Sequence, residues 1–150
     1  MDTPILYHGT RADFDTLDLS QTVDGGLHVG TEAQARMRAG RSGRLLAVEL
    51  DLYQVRRSRD LGGEWKAKIR QAKGAGCQAI VYLNRFEGIP LERFEALREA
   101  GIDPDRLTDA QFRKAVPEAH DSWIVFDLAF VRRRPAQDIG PSAPRRRLTP

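Results

Sequence analysis

The sequence predicts an α+β domain with a split, mostly antiparallel β-sheet and helices around it. Apolar segments of strand length recur along the 150 residues, but helical segments do not alternate regularly with them, as a doubly wound parallel sheet would require. The strands are short, and two helices predicted near 90–118 follow one another as an insert between strands. A chain of this length can bury the core of one domain.

In the first half of the chain, local signals place three strands and one helix. The strands are expected at 5–7, 27–29 and 44–52. Thr31 and Gln34 have the three-residue spacing of a capping box, in which each side chain satisfies a backbone N–H group of the other residue. A helix is therefore expected from Thr31 to about Ala39, and Gly40 ends it.

The second half is predicted to contain three helices and two strands. Helices are expected at 64–73, 91–100 and 109–116, and strands at 79–83 and 122–127. Thr108 and Gln111 repeat the capping-box spacing at the start of the last helix. Residues 53–63 are expected to connect without a strand, and 84–88 form a polar turn.

Composition divides the chain into a domain and a tail. Residues 1–134 are expected to form the domain, whereas 135–150 are rich in proline and arginine and are expected to be a flexible tail. The net charge of +3 comes from the C-terminal segment, because 132–150 carry six arginines and one aspartate. The rest of the chain is slightly acidic, so bulk charge does not favour a nucleic-acid-binding domain.

Several classes of protein are disfavoured. No apolar segment has the length of a membrane span, and the N-terminal residues lack the pattern of a secretory signal. The single cysteine, Cys77, fits a reducing compartment, so a cytoplasmic location is expected. One cysteine and three histidines do not have metal-ligand spacing, so no metal is expected. A Gly-x-Gly-x-x-Gly dinucleotide loop is also lacking.

A group of polar residues follows the first apolar strand, in the segment Tyr7-His8-Gly9-Thr10. A histidine ring nitrogen can bond a sugar hydroxyl, and a threonine hydroxyl can both donate and accept. Glycine allows a ligand to approach the bare backbone. The end of this strand is therefore a candidate site for a small polar ligand.

Three segments in this order resemble the ADP-ribosyltransferase superfamily, on the branch shared by diphtheria toxin and the poly(ADP-ribose) polymerases. They are Tyr7-His8-Gly9-Thr10, Gly26-Leu27-His28-Val29-Gly30-Thr31 and Asp121-Ser122-Trp123-Ile124-Val125-Phe126-Asp127. The chain is also similar to phage- and toxin-associated members, which carry patterns like its Ile80-Val81-Tyr82-x-Asn84-x-x-Glu87-Gly88. The resemblance implies the split-sheet fold of that superfamily and NAD as co-substrate.

The resemblance also implies positions for NAD. His8 would bond a ribose hydroxyl, the Gly9 backbone would hold the nicotinamide carboxamide, and Thr10 would assist beside Tyr7. The second segment would form one wall of the nicotinamide pocket, with candidates Gly26, Leu27, His28 and Thr31. Asn84 could orient the substrate. An aromatic ring often stacks on nicotinamide in this family, and the candidates are Trp65, Tyr53 and Tyr82.

The catalytic carboxylate departs from the family pattern, because Ser122 occupies the position where the resemblance implies a glutamate. Breaking the nicotinamide–ribose bond builds positive charge on the sugar, which a carboxylate stabilises. Serine carries no charge. Two carboxylates could substitute: Glu87 on the turn after the fourth strand, which we favour, and Asp121, which strand alternation points to the other face.

The resemblance predicts an NAD-dependent mono-ADP-ribosyltransferase with a toxin- or phage-effector-like role. Single transfer of ADP-ribose is favoured because the polymer-forming glutamate is missing. A protein acceptor is favoured over nucleic acid because the chain outside 132–150 is not basic. An antitoxin or host protein is a further candidate partner. The alternatives are an inactive relative that binds NAD, ADP-ribose or a protein, and an interaction domain unrelated to NAD. In that last case the basic tail would contact an acidic surface or nucleic acid.

Overall fold

Seven strands form two separate sheets in the computed structural model, which describes residues 3–12, 17–22 and 24–142. The strands are β1 (Leu6–Thr10), β2 (Leu27–Val29), β3 (Arg44–Leu50), β4 (Val55–Ser58), β5 (Ala79–Leu83), β6 (Asp121–Val125) and β7 (Val131–Arg133). One sheet has the order β1-β3-β7 and the other β2-β6-β5-β4. Only the β4–β5 pair is parallel in the described part of the chain, which confirms a mixed α+β fold with mostly antiparallel sheets.

Four α-helices pack around these sheets in the described ranges. They are α1 (Glu32–Ala39), α2 (Trp65–Gly74), α3 (Leu91–Glu99) and α4 (Asp109–Ala115). The two predicted capping boxes are confirmed, because Thr31 caps α1 with Gln34 and Thr108 caps α4 with Gln111. In both, the threonine oxygen accepts from the backbone N–H three residues on, which satisfies a donor that would otherwise be unpaired at the helix start.

Within the described ranges, one backbone bridge, between Tyr7 and Gly30, joins the two sheets. The Tyr7 N–H donates to the Gly30 carbonyl oxygen at 2.8 Å, and the Gly30 N–H donates to the Tyr7 carbonyl oxygen at 3.0 Å. This bridge brings β1 beside the end of β2. Because α1 begins just after Gly30, its first turns lie over the same junction, and a concave site forms there.

The core is divided among the space between the two sheets, the helix-covered face of the second sheet and the insert. Ile69 and Ala72 on α2 pack against Ile80, Tyr82 and Ile124 on one face of that sheet. A different cluster forms between β5 and the insert, with α3 and α4 contributing the side chains of Leu97 and Phe112. Separate clusters are the expected result when each helix covers a different part of a split sheet.

Three strand predictions are corrected. β4 was expected to be a connection, but it pairs with β5 in parallel through the crossover helix α2. Its residues are mostly exposed and show no apolar alternation, so no local signal marks it. β7 was not predicted either. β1 was expected to end at Tyr7, whereas it continues through Thr10 because Gly9 pairs with Leu45 and Thr10 with Arg44.

The segment predicted as a tail makes contacts with the first sheet over its described residues. The Asp138 carboxylate accepts from the Ala47 N–H at 2.7 Å and bonds both terminal nitrogens of Arg133. Ile139 exchanges two backbone hydrogen bonds with Leu45. Contacts with the domain therefore continue beyond 134, while 143–150 lie outside the described residues.

As for membranes, none of the helices in the described ranges combines the length and the apolar character that a bilayer crossing needs.

Candidate functional site

All of the segments that carry the resemblance contribute to one pocket at the junction of the two sheets. The inner pocket is lined by Tyr7 and Gly9 on β1, His28 and Gly30 at β2, Glu87 after β5, and Ser122 on β6. α1 closes one side of it through Gln34 and Arg38. Four stretches that are distant in sequence are thus brought to one place by the strand order β2-β6-β5 and the Tyr7–Gly30 bridge.

A wider cleft of about 310 Å³ adjoins the inner pocket. The two share His28, Arg38, Tyr82 and Glu87, and the outer cleft adds Trp65 as an aromatic wall. The Trp65 and Tyr82 rings lie 4.4 Å apart between centroids. Tyr53 contacts Phe130 instead and is 78% exposed. Of the three aromatic candidates, Trp65 and Tyr82 therefore line the cleft.

Glu87 holds its carboxylate between two donors. Arg38 Nε donates to Oε2 at 3.2 Å, and Asn84 Nδ2 donates to Oε1 at 3.0 Å. Asn84 also accepts at Oδ1 from the backbone N–H groups of Phe86 and Glu87, so it fixes the turn that carries the acid. Each carboxylate oxygen retains a second acceptor site, since an ionised carboxylate has about four lone-pair positions.

Ser122 serves as a link between Asn84 and α1. Its buried hydroxyl donates to Gln34 Oε1 at 2.8 Å and accepts from Asn84 Nδ2 at 3.0 Å. The only proton of the hydroxyl is therefore engaged. Burial and the charge of Glu87 raise the pKa of the neighbouring Tyr82 phenol, so this ring stays neutral beside the site. In this geometry Ser122 orients the residues around the carboxylate and does not replace a carboxylate.

Gln34 has a second role that the sequence pattern did not reveal. In addition to capping α1, its Oε1 accepts from Ser122 and its Nε2 donates to the His120 carbonyl oxygen at 3.0 Å. A Cβ atom at Gly30 would collide with Gln34 Oε1, so the glycine leaves room for this side chain. A capping box explains a glutamine completely at the local level, which is why the contact with β6 carried no signal in the sequence.

Asp121 lies away from the inner pocket and the cleft. Its carboxylate accepts from both terminal nitrogens of Arg57, at 3.1 and 2.7 Å, and from Arg113 at 3.3 Å. Ser122 follows it on β6 and faces the pocket, as the alternation of side chains along a strand requires. Of the two candidate carboxylates, Glu87 is the one that lines the cleft.

The β1 residues have clear structural partners. His8 Nδ1 donates to the His28 carbonyl oxygen at 2.8 Å, and its ring does not line the inner pocket or the cleft. Thr10 Oγ1 accepts from the Ala12 N–H at 3.1 Å, which stabilises the turn after β1. A Cβ atom at Gly9 would overlap the Ala35 carbonyl oxygen of α1, so this glycine allows the helix to pack closely.

The second segment lines the inner pocket with Val29, Gly30 and the side chain of His28. Its Nε2 lies 2.7 Å from Asp24 Oδ2. Leu27 is in the core, and a Cβ atom at Gly26 would overlap the Ile124 side chain. Thr31 caps α1. Gly26, Leu27 and Thr31, which the resemblance implied as pocket wall, thus hold positions in packing and capping.

Acid should weaken the fold at this junction. Burial lowers the pKa of His8, so the folded state favours the neutral ring. Burial raises the pKa of Asp24, but the hydrogen bond and charge of His28, together with hydrogen bonds from backbone N–H groups such as that of Gly26, lower the pKa by more, and the net pKa is lowered. The unfolded chain then binds more protons than the folded one, and stability falls as the pH drops below about 6.5 for His8 and about 4 for Asp24.

We therefore expect the free energy of unfolding to decrease between about pH 7 and pH 5 in urea titrations. His8→Asn should have a smaller decrease, because its amide can replace the Nδ1 donor without titrating. An unchanged pH dependence in this variant would assign the effect to other groups.

Among the described residues, no three histidine, cysteine or acidic side chains are grouped so that they could hold a metal ion. Comparison of the chain with protein-family models, with curated proteins and with solved structures found no match.

Proposed function

We propose that this protein is an NAD-dependent mono-ADP-ribosyltransferase that modifies a macromolecular acceptor. The observation that supports this most directly is the placement of Glu87. It lines a cleft of about 310 Å³, within the range of ligand pockets, between an aromatic wall and the strand segments that resemble the superfamily. NAD is the proposed co-substrate, with nicotinamide against Trp65 and Tyr82.

The chemistry requires one carboxylate near the reacting carbon. The bond between ribose C1′ and the nicotinamide nitrogen breaks, and nicotinamide leaves with the electron pair. A lone pair of the acceptor forms the new bond to C1′, and the acceptor releases its proton. Glu87 would stabilise the positive charge that develops on the sugar. Arg38 and Asn84 hold that carboxylate in one position, so little reorganisation is needed.

The proposed acceptor is a protein, since the chain outside 132–150 is slightly acidic and would not attract nucleic acid by its charge. A single transfer is proposed because Ser122 stands where the resemblance implies the polymer-forming glutamate. The other acidic residue of the cleft, Asp60, accepts from the backbone N–H groups of Gly62 and Arg85. We place the activity in a toxin- or phage-effector-like role in the cytoplasm, where an antitoxin or host protein would be a further partner. The Arg-rich terminus is proposed to contact an acidic surface or nucleic acid.

A second candidate is an inactive relative that binds NAD, ADP-ribose or a protein. Two observations favour it: Ser122 stands where the resemblance implies a glutamate, and Arg38 neutralises the charge of Glu87. In this case the cleft would bind the nucleotide without breaking it.

Calorimetric titration with NAD, combined with a nicotinamide assay on the same sample, separates these functions. Binding with release supports the transferase, and binding without release supports the inactive relative. If NAD does not bind, and if deletion of 143–150 abolishes a salt-sensitive binding of the chain to an oligonucleotide, the interaction domain unrelated to NAD is supported.

A further inference from the structure

An apolar groove lies beside the cleft, on the helical insert. It has a volume of about 490 Å³ and is lined by Phe86, Leu91, Phe94, Arg98 and Ile102, with Asp103 and Pro104 at one end. Phe86, Leu91 and Ile102 are large apolar side chains that are 50%, 67% and 38% exposed. Exposed apolar side chains that cluster in one groove are typical of a surface that another molecule covers.

The groove is built from one side of α3. Leu91, Phe94 and Arg98 are separated by three and four residues, so they form a single stripe along the helix. Leu97 lies on the buried side, where it joins the core of the insert. The insert is fixed to the site by Arg85, whose guanidinium stacks on Phe112 and bonds the carbonyl oxygens of Pro104 and Leu107. The groove is therefore held at a defined place relative to the Glu87 turn.

Phe86 connects the groove to the cleft. It lines both, and it precedes Glu87 in the chain. Asn84 accepts hydrogen bonds from the backbone of both residues, which holds Glu87 toward the inner pocket while Phe86 stays half exposed at the rim. A chain that occupies the groove and passes Phe86 would reach the proposed reacting carbon.

We propose that this groove binds the acceptor as an extended polypeptide segment that inserts a large apolar side chain and places a carboxylate against Arg98. Arg98 is exposed and has no carboxylate partner among the described residues, so it supplies the charge complement. A polypeptide fits better than a nucleic acid, because a groove with aliphatic and aromatic walls buries apolar side chains but offers little to phosphates. The assignment of this segment as acceptor rests on the proposed transferase function, whereas the binding itself does not.

The test is selection of a random peptide library displayed on phage against the full chain, without NAD. Enriched peptides are synthesised with a fluorescent label and titrated by polarisation. We expect a large apolar residue near an acidic one, and an affinity at least about tenfold weaker for Leu91→Glu. Leu91 is exposed and begins α3, where a carboxylate is favourable, so this variant should fold. Arg98→Gln should weaken only the acidic peptides.

Met37→Glu is the matched control, because Met37 is 52% exposed on α1 and does not line the groove. Peptides that bind Leu91→Glu as well as the wild type, or a failure to enrich any sequence, would overturn the groove proposal. The two proposals fail separately. Peptide binding at the groove without nicotinamide release would support the groove proposal and contradict the transferase proposal. Nicotinamide release without peptide binding at the groove would support the transferase and contradict the groove proposal.

Discussion

Glu87→Gln should reduce nicotinamide release by a factor of about 10²–10³ while NAD still binds. The substitution keeps the size of the side chain but removes the negative charge that would stabilise the developing sugar cation. NAD affinity depends mainly on the other walls of the cleft, so it should change little. The measurement is nicotinamide release at saturating NAD, with calorimetric binding on the same preparation.

Glu118→Gln is the matched control for this variant. Glu118 accepts from Arg93 Nε at 2.9 Å, in an ion pair of the same kind as that of Glu87 with Arg38, but it lines neither the inner pocket nor the cleft. Both variants lose one such pair, so any general effect on stability should be similar. If Glu87→Gln released nicotinamide as fast as Glu118→Gln, Glu87 would not be the catalytic carboxylate.

Gly9→Ala should destabilise the fold by about 3 kcal/mol, near the upper end of the usual range for overpacking. The added Cβ would overlap the carbonyl oxygen of Ala35, and it would also press on the Ala39 side chain. Both belong to α1, whose backbone lies against β1 and cannot move as a flexible side chain does. Urea unfolding, compared at the midpoint and extrapolated to water, measures the effect.

Gly74→Ala provides the comparison, because a Cβ atom there meets nothing within 4 Å. Gly74 is the last residue of α2, and alanine in a helix is favoured over glycine by up to about 1 kcal/mol. The control should therefore be neutral or more stable. A Gly9→Ala variant could instead be as stable as the wild type but unable to bind NAD. That result would show that the position needs glycine so that the ligand can approach, and not so that α1 can pack against β1.

Most elements of this fold could be predicted from short-range signals. The capping boxes at Thr31 and Thr108 fix the starts of α1 and α4 within a few residues, because the two groups of each box lie in one helical turn. β2 and β5 were predicted with their observed bounds, since buried apolar segments of this length stand out from their polar neighbours. The placement of Glu87 on a polar turn after β5 followed from the same local pattern.

The sequence by itself determined the fold class, the helices and the group of candidate residues, because each of these depends on neighbours within a few positions. Only the tertiary structure decided that β4 joins the sheet, that Glu87 rather than Asp121 lines the cleft, and that Gly9 faces α1. It also brought Gln34 to Ser122, 88 positions away. Contacts over such a separation depend on how the sheets and helices pack, and local sequence patterns do not indicate that packing.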